Sequence, residues 1–321
     1  MKELLRKNNI IRHTYPDCLE AILTGAFCNN VYRYKFPSMN KRNKKINDVK
    51  IPPVGGFIMK ELNELFRKRI GFPKNQTIIF DTLDQILTLT AASFPFENLC
   101  IFSNQIQAIT EESLIKKLLR RSEGGLCYEL NSLFFLFLKE NSFDVTLVPG
   151  IVYDHHAEDW SAIGKTHVCI LLKHQGNDYL IDTGFGGNLP LKPVSLKGAR
   201  IESANGEFQI KKRNGADEEY VLYMKLKYKH SEWKQGYTFF PASPIKKLSD
   251  LDAVQRKIVE STDSPFNKVP LLTKLTAGGS ITLTPSSLTV WNKGEMTKKE
   301  IEGIVFKDWA IKHFQLNTAK N

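Results

Sequence analysis

Cys127 is the residue whose position points most directly to nucleophilic chemistry. It follows Gly124, Gly125 and Leu126, and it stands where an apolar helical pattern begins. The positive end of a helix dipole favours the thiolate, which is the reactive form of cysteine. Two preceding glycines let the backbone turn tightly and let a substrate approach closely. The alternative is a buried structural cysteine, a common environment for this residue type.

His167 and Asp182 are the candidates for the base and the acid that such a thiol needs. His167 opens an apolar strand, and a second strand that ends at Asp182 follows after a turn-like segment, which predicts a β-hairpin. Two registers are compatible with the sequence, one pairing Asn177 with Leu172 and the other pairing it with His174. Both put His167 and Asp182 on one face, about 5–8 Å apart. A carboxylate fixes the tautomer of a neighbouring imidazole, although a structural cross-strand pair is the alternative.

Helical patterns fill the region that leads to and carries Cys127. Apolar residues recur at helical spacing in three segments, 59–70, 80–89 and 111–121. A fourth segment, after Gly125, carries an i, i+3, i+4, i+7, i+8 apolar stripe that is typical of a buried helix face. The sequence therefore predicts a helical bundle over 59–144.

Strand patterns replace the helical ones beyond Asn141. Six apolar or alternating segments are separated by turn residues, at 145–153, 167–172, 178–182, 208–212, 220–227 and 237–240. Short strands at this spacing predict a small antiparallel sheet or barrel over 145–240.

The last part of the chain, 241–321, mixes both patterns and predicts an α/β lid. Ser249 is the expected N-cap of a helix that carries Leu251. Residues 281–284 alternate like a strand, and 298–314 has the pattern of a closing helix. The predicted fold class is α+β and multidomain: a helical bundle, an antiparallel β-barrel and an α/β lid.

The composition excludes several classes of protein. Hydrophobic residues make up 42% and charged residues 25% of the 321 positions, which excludes wholesale disorder, collagen-like repeats and a coiled coil. The longest apolar run, 133–138, is far shorter than the roughly 18–20 residues of a membrane span. Five cysteines without close pairing predict neither a disulfide framework nor a metal site. With no secretory signal expected, the chain is predicted to be cytoplasmic, with no membrane or metal partner.

Most of the excess positive charge lies in a leader formed by residues 1–58. The formal net charge is +11. The leader holds 11 Lys and Arg against 4 Asp and Glu, and the rest of the chain holds 34 against 30. A basic run such as 41–45 can bind phosphates, but it is more often simply solvated. No nucleic-acid partner is therefore expected.

Several motifs occur together in one order along the chain. They are FPFENL at 94–99, GGLCYELN at 124–131, THV at 166–168, DTGFGG at 182–187 and SPF at 264–266. Together they resemble the motifs of the arylamine N-acetyltransferase family of bacterial type. The similarity covers Met59 to the C-terminus.

The resemblance implies an enzyme with a triad like that of papain-type cysteine proteases. Cys127 would be the acetylated nucleophile, His167 the base and Asp182 the orienting acid. The donor would be acetyl-CoA, and the acceptors arylamines, arylhydrazines or N-hydroxyarylamines, in a ping-pong reaction without a metal. Phe96 and Phe185 are candidate walls of the acceptor site, and a core role is the alternative for each. The sequence identifies no residue that binds the donor.

One position departs from the family pattern. Glu123 stands directly before the glycine pair, where the family usually has a basic residue. The three triad positions are unaffected by this difference, and Arg120 and Arg121 are close enough in sequence to supply the positive charge.

Two other functions fit part of the same pattern. A papain- or transglutaminase-like hydrolase or amide transferase would use the triad on water or a peptide, without CoA. A basic nucleic-acid-binding protein would use the leader, and its affinity for DNA would fall with added salt.

We predict that residues 1–58 are not part of the functional enzyme and that translation starts at Met59. The leader is basic, ends in a Pro/Gly-rich stretch and has little core-forming pattern. If the codons of Gly55 and Gly56 read GGA-GGN, they contain a purine-rich ribosome-binding sequence just before Met59. A chain that begins at Met59 is expected to keep full activity. Stoichiometric peptides from 11–35 in native protein would instead support an appendage that binds anionic partners.

Overall fold

Residues 60–213 and 218–316 are described by the computed structural model. The leader and the proposed start at Met59 lie outside the described residues. Within these ranges, the first part of the chain is helical, as predicted, with one short strand, β1 (Phe96–Glu97), inserted in it. None of the helices in the described ranges is long and apolar enough to cross a membrane.

The α-helices of the described ranges follow the predicted order, with one short additional helix, Leu99–Phe102, that the sequence did not predict. They are α1 (Glu61–Ile70), α2 (Leu83–Ser93), α3 (Leu99–Phe102), α4 (Glu111–Leu114), α5 (Cys127–Glu140), α6 (Leu251–Glu260) and α7 (Phe306–Phe314). A π-helical segment, Ile115–Arg120, continues α4. The apolar stripe predicted for α5 is buried. Its residues belong to the core of the helical bundle, so α5 is the central helix.

Aromatic packing holds α5 in place within the helical core. The Phe66 ring stacks on Phe137 at 4.1 Å between centroids and on Phe94 at 5.3 Å. Deleting a buried Phe side chain typically costs about 3–5 kcal/mol, so this cluster contributes a large share of the local stability. The position of Cys127 at the start of α5 is fixed by the same packing.

Nine strands form an antiparallel sheet that is nearly closed into a barrel, as the strand patterns predict. They are β2 (Asp144–Asp154), β3 (Asp159–Trp160), β4 (His167–His174), β5 (Asn177–Ile181), β6 (Val194–Ser195), β7 (Ile201–Ser203), β8 (Gly206–Lys212), β9 (Tyr220–Leu226) and β10 (Lys234–Phe239). The order is β6-β5-β4-β2-β10-β9-β8-β7, and β3 pairs with β2. The pairing places β2 between β4 and β10, which brings residues from distant parts of the sequence into one layer.

The β4–β5 hairpin adopts the second of the two predicted registers. His174 pairs with Asn177, and Ile170 pairs with Ile181. Gln175 and Gly176 form the two-residue turn, with φ of 48° and 73°, and two positive φ values are typical of the turn that suits strand twist. Asp182 consequently lies just beyond the last paired residue.

A second sheet covers the C-terminal part. Its strands are β1, β11 (Leu272–Thr276), β12 (Gly279–Thr284), β13 (Ser287–Asn292) and β14 (Glu295–Glu300), paired in that order. The predicted closing helix at 298–314 is wrong over its first half, because β14 occupies 298–300, a 3₁₀ turn follows at Gly303–Val305, and α7 begins only at Phe306. Lys293 and Gly294, with φ of 49° and 92°, form a two-residue hairpin turn that directs the chain back along β13.

The predicted cap of α6 is also wrong, although the helix itself is confirmed. Ser249 lies inside a 3₁₀ turn, and Asp250 is the N-cap residue. The Asp250 carboxylate accepts a hydrogen bond from the Lys247 N–H at 3.0 Å. The turn tightens the entry to the helix, so the capping position falls one residue later.

Contacts cross the predicted domain boundaries at 144 and 240. Leu251 and Ile258 of α6 pack into the core of the helical bundle, and β1 joins the C-terminal sheet. The division into 59–144, 145–240 and 241–321 stays a prediction.

Candidate active site

Cys127 is the first residue of α5. The short loop that precedes it, 124–126, is held in place by backbone hydrogen bonds. The loop is tied to the segment before β1, because the Gly125 N–H donates to the Pro95 carbonyl at 3.2 Å and the Glu97 N–H donates to the Gly125 carbonyl at 3.0 Å. A Cβ on Gly124 would lie 2.2 Å from the Pro95 oxygen. The glycine is therefore required by the close approach of a neighbouring backbone. The Cys127 side chain is largely buried, with its Sγ 3.4 Å from the Thr166 carbonyl.

His167 and Asp182 form a buried hydrogen-bonded pair next to Cys127. The Nε2 atom of His167 is 2.8 Å from Oδ2 of Asp182. Burial by itself would lower the pKa of His167, but the Asp182 carboxylate and the neighbouring Cys127 raise it to about 10. Since Asp182 occupies Nε2, Nδ1 is the ring nitrogen left for the Cys127 sulfur. A cationic imidazole in this position stabilises a thiolate.

The carboxylate of Asp182 is held by four donors. Besides His167, the Tyr237 hydroxyl donates to Oδ2 at 2.8 Å, and Oδ1 accepts from Asn131 Nδ2 at 2.9 Å and from the Gly184 N–H at 2.7 Å. Burial would raise the pKa of Asp182, but the charge of His167 and these hydrogen bonds hold it below its usual value. The carboxylate therefore stays ionised in a dry environment.

Two of these supporting residues were missed by sequence reasoning. Asn131 lies four residues after Cys127, so one helical turn brings both side chains to the same face of α5. This four-residue spacing was the sequence signal that could have identified Asn131 as part of the site. Tyr237 comes from β10, and no local pattern connects it to a carboxylate 55 positions earlier.

Gly184 lets the segment after β5 dock onto the start of α5. A Cβ at this position would lie 2.6 Å from the Cys127 Cα and 2.7 Å from the Asn131 amide nitrogen. Any larger residue would displace the helix that carries the thiol. The Asp-Thr-Gly motif at 182–184 therefore supplies both a hydrogen-bonding group and the space for close packing.

The two predicted acceptor walls have different aromatic neighbours. The Phe185 ring is 5.3 Å from the His167 ring and 4.9 Å from the Tyr237 ring. The Phe96 ring packs edge-on against Phe266 at 5.4 Å. Both phenylalanines are partly exposed, and their role in binding stays a prediction.

A buried charge cluster lies behind the loop that carries Cys127. The Lys117 ammonium is 2.6 Å from Glu129 Oε1 and 3.8 Å from Glu97 Oε1. The other oxygen of Glu129 accepts the Leu126 N–H at 3.0 Å. Burial raises the pKa of Glu97, and the positive charge of Lys117 opposes that effect. The cluster fixes the backbone directly before the nucleophile.

Lys117→Met is expected to lower the free energy of unfolding by about 3 kcal/mol, because two buried carboxylates lose their counterion. Urea denaturation measures the change. Lys116→Met is the matched control, since Lys116 is exposed on the same segment and its loss should cost less than about 0.5 kcal/mol. Equal effects of the two substitutions would show that the cluster does not stabilise the fold.

Glu123, the departure from the family pattern, is paired with one of the two predicted arginines. Arg121 Nη2 lies 2.9 Å from Glu123 Oε2, whereas Arg120 binds Glu61 at 2.5 Å. The partly buried Arg69 guanidinium packs over the Phe94 ring at 4.1 Å; this burial lowers its pKa to about 10, and the nearby Glu123 charge acts in the opposite direction. Arg121 thus supplies the neighbouring positive charge, and Arg120 does not.

A metal site needs several ligating side chains that face one point. No cluster of three or more His, Cys, Asp or Glu side chains suited to a metal ion occurs within 60–213 and 218–316. The expectation of a reaction without a metal stays a prediction.

Comparison with known proteins places the chain among acetyltransferases. A family model described as N-acetyltransferase matches residues 80–319. An uncharacterised acetyltransferase of Bacillus subtilis is 37% identical over 254 residues, which cover 79% of this chain and 97% of the relative.

Two similar crystal structures come from species of Bacillus. Arylamine N-acetyltransferase C of Bacillus anthracis is 39% identical and superimposes with a TM-score of 0.76, covering 81% of this chain and 100% of that one. An arylamine N-acetyltransferase of Bacillus cereus, described as having a unique Cys-His-Glu catalytic triad, is 36% identical with a TM-score of 0.75, covering 80% and 99%. In this chain the carboxylate bound to His167 belongs to an aspartate. Because the match extends over most of the chain and nearly all of each relative, this protein is an acetyltransferase that belongs to the arylamine N-acetyltransferase family.

Proposed function

We propose that this protein transfers an acetyl group from acetyl-CoA to arylamines, arylhydrazines or N-hydroxyarylamines through an acetylated Cys127. Acetyl transfer from acetyl-CoA to arylamines is the activity of its family. The observation that carries the proposal is the hydrogen-bonded pair of His167 and Asp182 next to Cys127 in one buried site.

The first half-reaction forms the acetyl-enzyme. The Cys127 sulfur attacks the thioester carbonyl, the bond between the acetyl carbon and the CoA sulfur breaks, and the departing thiolate takes a proton from the His167 imidazolium. The N–H of Cys127 is our candidate donor to the developing oxyanion, since the first amides of a helix have no acceptor within the helix.

The second half-reaction passes the acetyl group to the amine. The arylamine nitrogen attacks the acetyl carbon, the carbon–sulfur bond breaks, and neutral His167 accepts the proton that the nitrogen loses. This regenerates the ion pair of Cys127 and His167. Asp182 keeps the proton of the imidazole on Nε2, so that Nδ1 faces the reacting atoms throughout.

Phe96 and Phe185 are proposed to bind the aromatic acceptor. The partly exposed Phe185 ring lies beside His167, where it would flank an arylamine that approaches the acetyl group. Aromatic rings pack favourably edge-on or offset against one another, which suits a planar acceptor more than an aliphatic amine.

Intact-protein mass spectrometry tests the proposed function. Acetyl-CoA alone should add the mass of one acetyl group, peptide mapping should place it on Cys127, and an arylhydrazine should remove it with formation of the acetylhydrazide. A hydrolase using the same triad would release acetate at the same rate without the acceptor. Absence of an acetyl adduct under conditions of turnover would contradict the ping-pong route.

A further inference from the structure

Lys117 lies in the π-helical segment Ile115–Arg120, with its ammonium inside the protein. The geometry of this segment is seen in the Arg121 N–H, which donates to the Lys116 carbonyl, five residues earlier, at 3.0 Å. Turns of this kind are rare and are found frequently at functional sites. The Lys117 side chain is only 10% exposed, whereas its neighbour Lys116 faces solvent. Since a buried charge is costly unless it is paired, the contacts of Lys117 indicate what it does.

Lys117 is attached to both sides of the loop that precedes Cys127. On one side, its carbonyl accepts the Glu123 N–H at 3.2 Å. On the other side, its ammonium binds Glu129 Oε1 at 2.6 Å. The three loop residues, 124–126, lie between these two attachments, so one side chain and its own backbone hold the loop at both ends.

Glu129 carries the restraint from Lys117 to the backbone next to the nucleophile. It is the third residue of α5, and its Oε2 accepts the Leu126 N–H at 3.0 Å, which is the returning hydrogen bond of a capping box. A Cβ at Gly125 would lie 2.7 Å from this oxygen, so the carboxylate packs directly against the loop. One oxygen of Glu129 therefore holds Lys117, and the other holds the residue directly before Cys127.

The peptide group that joins Leu126 to Cys127 is held at its carbonyl end. The Leu126 carbonyl accepts the N–H groups of Glu129 and Leu130, both at 3.0 Å. Among the described residues, no group accepts a hydrogen bond from the Cys127 N–H at the other end. Because a peptide group is planar, fixing Leu126 also fixes the direction of this N–H. The candidate donor to the oxyanion is thus aimed by contacts that belong to Leu126.

The charge of Lys117 keeps the two carboxylates of the cluster in place. Burial by itself would lower the pKa of Lys117, but Glu129 and Glu97 raise it above its ordinary value. Burial raises the pKa of Glu97, the charge of Lys117 opposes that effect, and Glu129 adds to it. Without the lysine the two carboxylates would repel each other, and Glu129 would no longer be held beside Leu126.

We infer that Lys117 is a positioning residue for acetyl transfer: through Glu129 and Leu126 it aims the Cys127 N–H at the oxyanion that develops on the acetyl group. The inference rests on the proposed function, because it presumes that Cys127 attacks a thioester. Lys117 itself touches neither the sulfur nor the acetyl group, and its effect passes through the backbone.

The test compares two reactions of the same sulfur. Acetylation by acetyl-CoA passes through an oxyanion on the thioester carbonyl. Alkylation by iodoacetamide displaces iodide directly from carbon and forms no oxyanion. Single-turnover acetylation of Cys127 is followed by mass spectrometry at saturating acetyl-CoA, and the rate of alkylation is followed over a range of pH.

Glu129→Gln is the principal variant. A single amide oxygen cannot bind both Lys117 and the Leu126 N–H, so one of the two bonds is lost while the size of the side chain is kept. The rate constant of acetylation should fall about ten- to hundredfold, the size of a misdirected oxyanion donor. Alkylation should stay within about twofold and keep its pH dependence, because no oxyanion forms in it. Lys117→Met should show the same pattern, and Glu129→Gln decides the question even if that variant is too unstable to assay.

Two controls separate the position of the loop from helix capping and from charge. Asp250 accepts the Lys247 N–H, three residues earlier, at 3.0 Å, but it does so at the exposed start of α6. Asp250→Asn should therefore leave both reactions within about twofold. Glu97→Gln removes the same negative charge from the cluster but keeps both bonds of Glu129, so acetylation should fall no more than about threefold.

The possible outcomes distinguish the inference from the proposed function. Equal losses in the two reactions of Glu129→Gln would overturn the inference, because the sulfur itself would then be displaced. A shifted pH dependence of alkylation would overturn it as well, since the cluster would then act through the charge of the thiol. So would an unchanged acetylation rate. A wild-type protein that is alkylated at Cys127 but never acetylated would instead contradict the proposed function itself.

Discussion

Cys127→Ala is expected to abolish acetyl transfer and to leave the fold intact. The substitution removes one sulfur atom, which lies 3.4 Å from the Thr166 carbonyl and next to His167, and it leaves the hydrogen bond between His167 and Asp182 in place. The free energy of unfolding should therefore change by no more than about 1 kcal/mol. Turnover should fall by a factor of about 10⁴ or more, because no other group can form the covalent intermediate.

The measurement is steady-state transfer from acetyl-CoA to an arylamine, together with the acetyl adduct seen by mass spectrometry. Cys100→Ala is the matched control. Cys100 is also buried, and burial raises the pKa of its thiol to about 12, so it is a poor nucleophile. That variant should keep turnover within about threefold. Normal turnover by Cys127→Ala would end the proposal that this cysteine is acetylated.

Asp182→Asn should lower kcat/KM by about 10⁴, by analogy with the loss produced by the same change in a serine-protease triad. An amide presents an N–H₂ group that cannot accept a hydrogen bond, whereas Asp182 accepts from His167, Tyr237, Asn131 and Gly184. The amide would favour the imidazole tautomer with its proton on Nδ1, the nitrogen that faces Cys127. It would also remove the charge that stabilises the imidazolium.

Asp182→Glu is the informative companion variant. It keeps the negative charge, and a relative from Bacillus cereus is described with a Cys-His-Glu triad. Its rate should therefore lie well above that of Asp182→Asn, with a loss due to the altered distance. The kcat/KM values of both variants, measured as a function of pH, show whether the negative charge at position 182 determines the rate. A loss of tenfold or less for Asp182→Asn would mean that another group orients His167.

Local sequence patterns were sufficient for predictions that depend on a single helix or a single hairpin. The apolar stripe after Cys127 predicted α5, because burial of one helix face requires that spacing whatever the partner. The turn between β4 and β5 limited the hairpin to two registers, and in both His167 and Asp182 lie on one face. The sequence by itself therefore determined that a thiol begins a buried helix and that an imidazole faces a carboxylate.

Local patterns failed where the same residues are compatible with either a helix or a strand. Residues 298–300 were predicted to open a helix, yet they pair with β13 as part of β14. The periodicity of polar and apolar residues is ambiguous over such short lengths. The hairpin turn at Lys293 and Gly294, together with a partner strand, decides between the two structures.

The tertiary structure alone brought the complete site together. Tyr237 reaches Asp182 because β2 pairs with both β4 and β10. Lys117 meets Glu97 and Glu129 because α5, β1 and the π-helical segment pack on one another. Helix and strand spacing is set by interactions among near neighbours, so a sequence displays it directly. Contacts between distant segments depend on which faces are buried against each other, and that becomes defined only when the whole chain has folded.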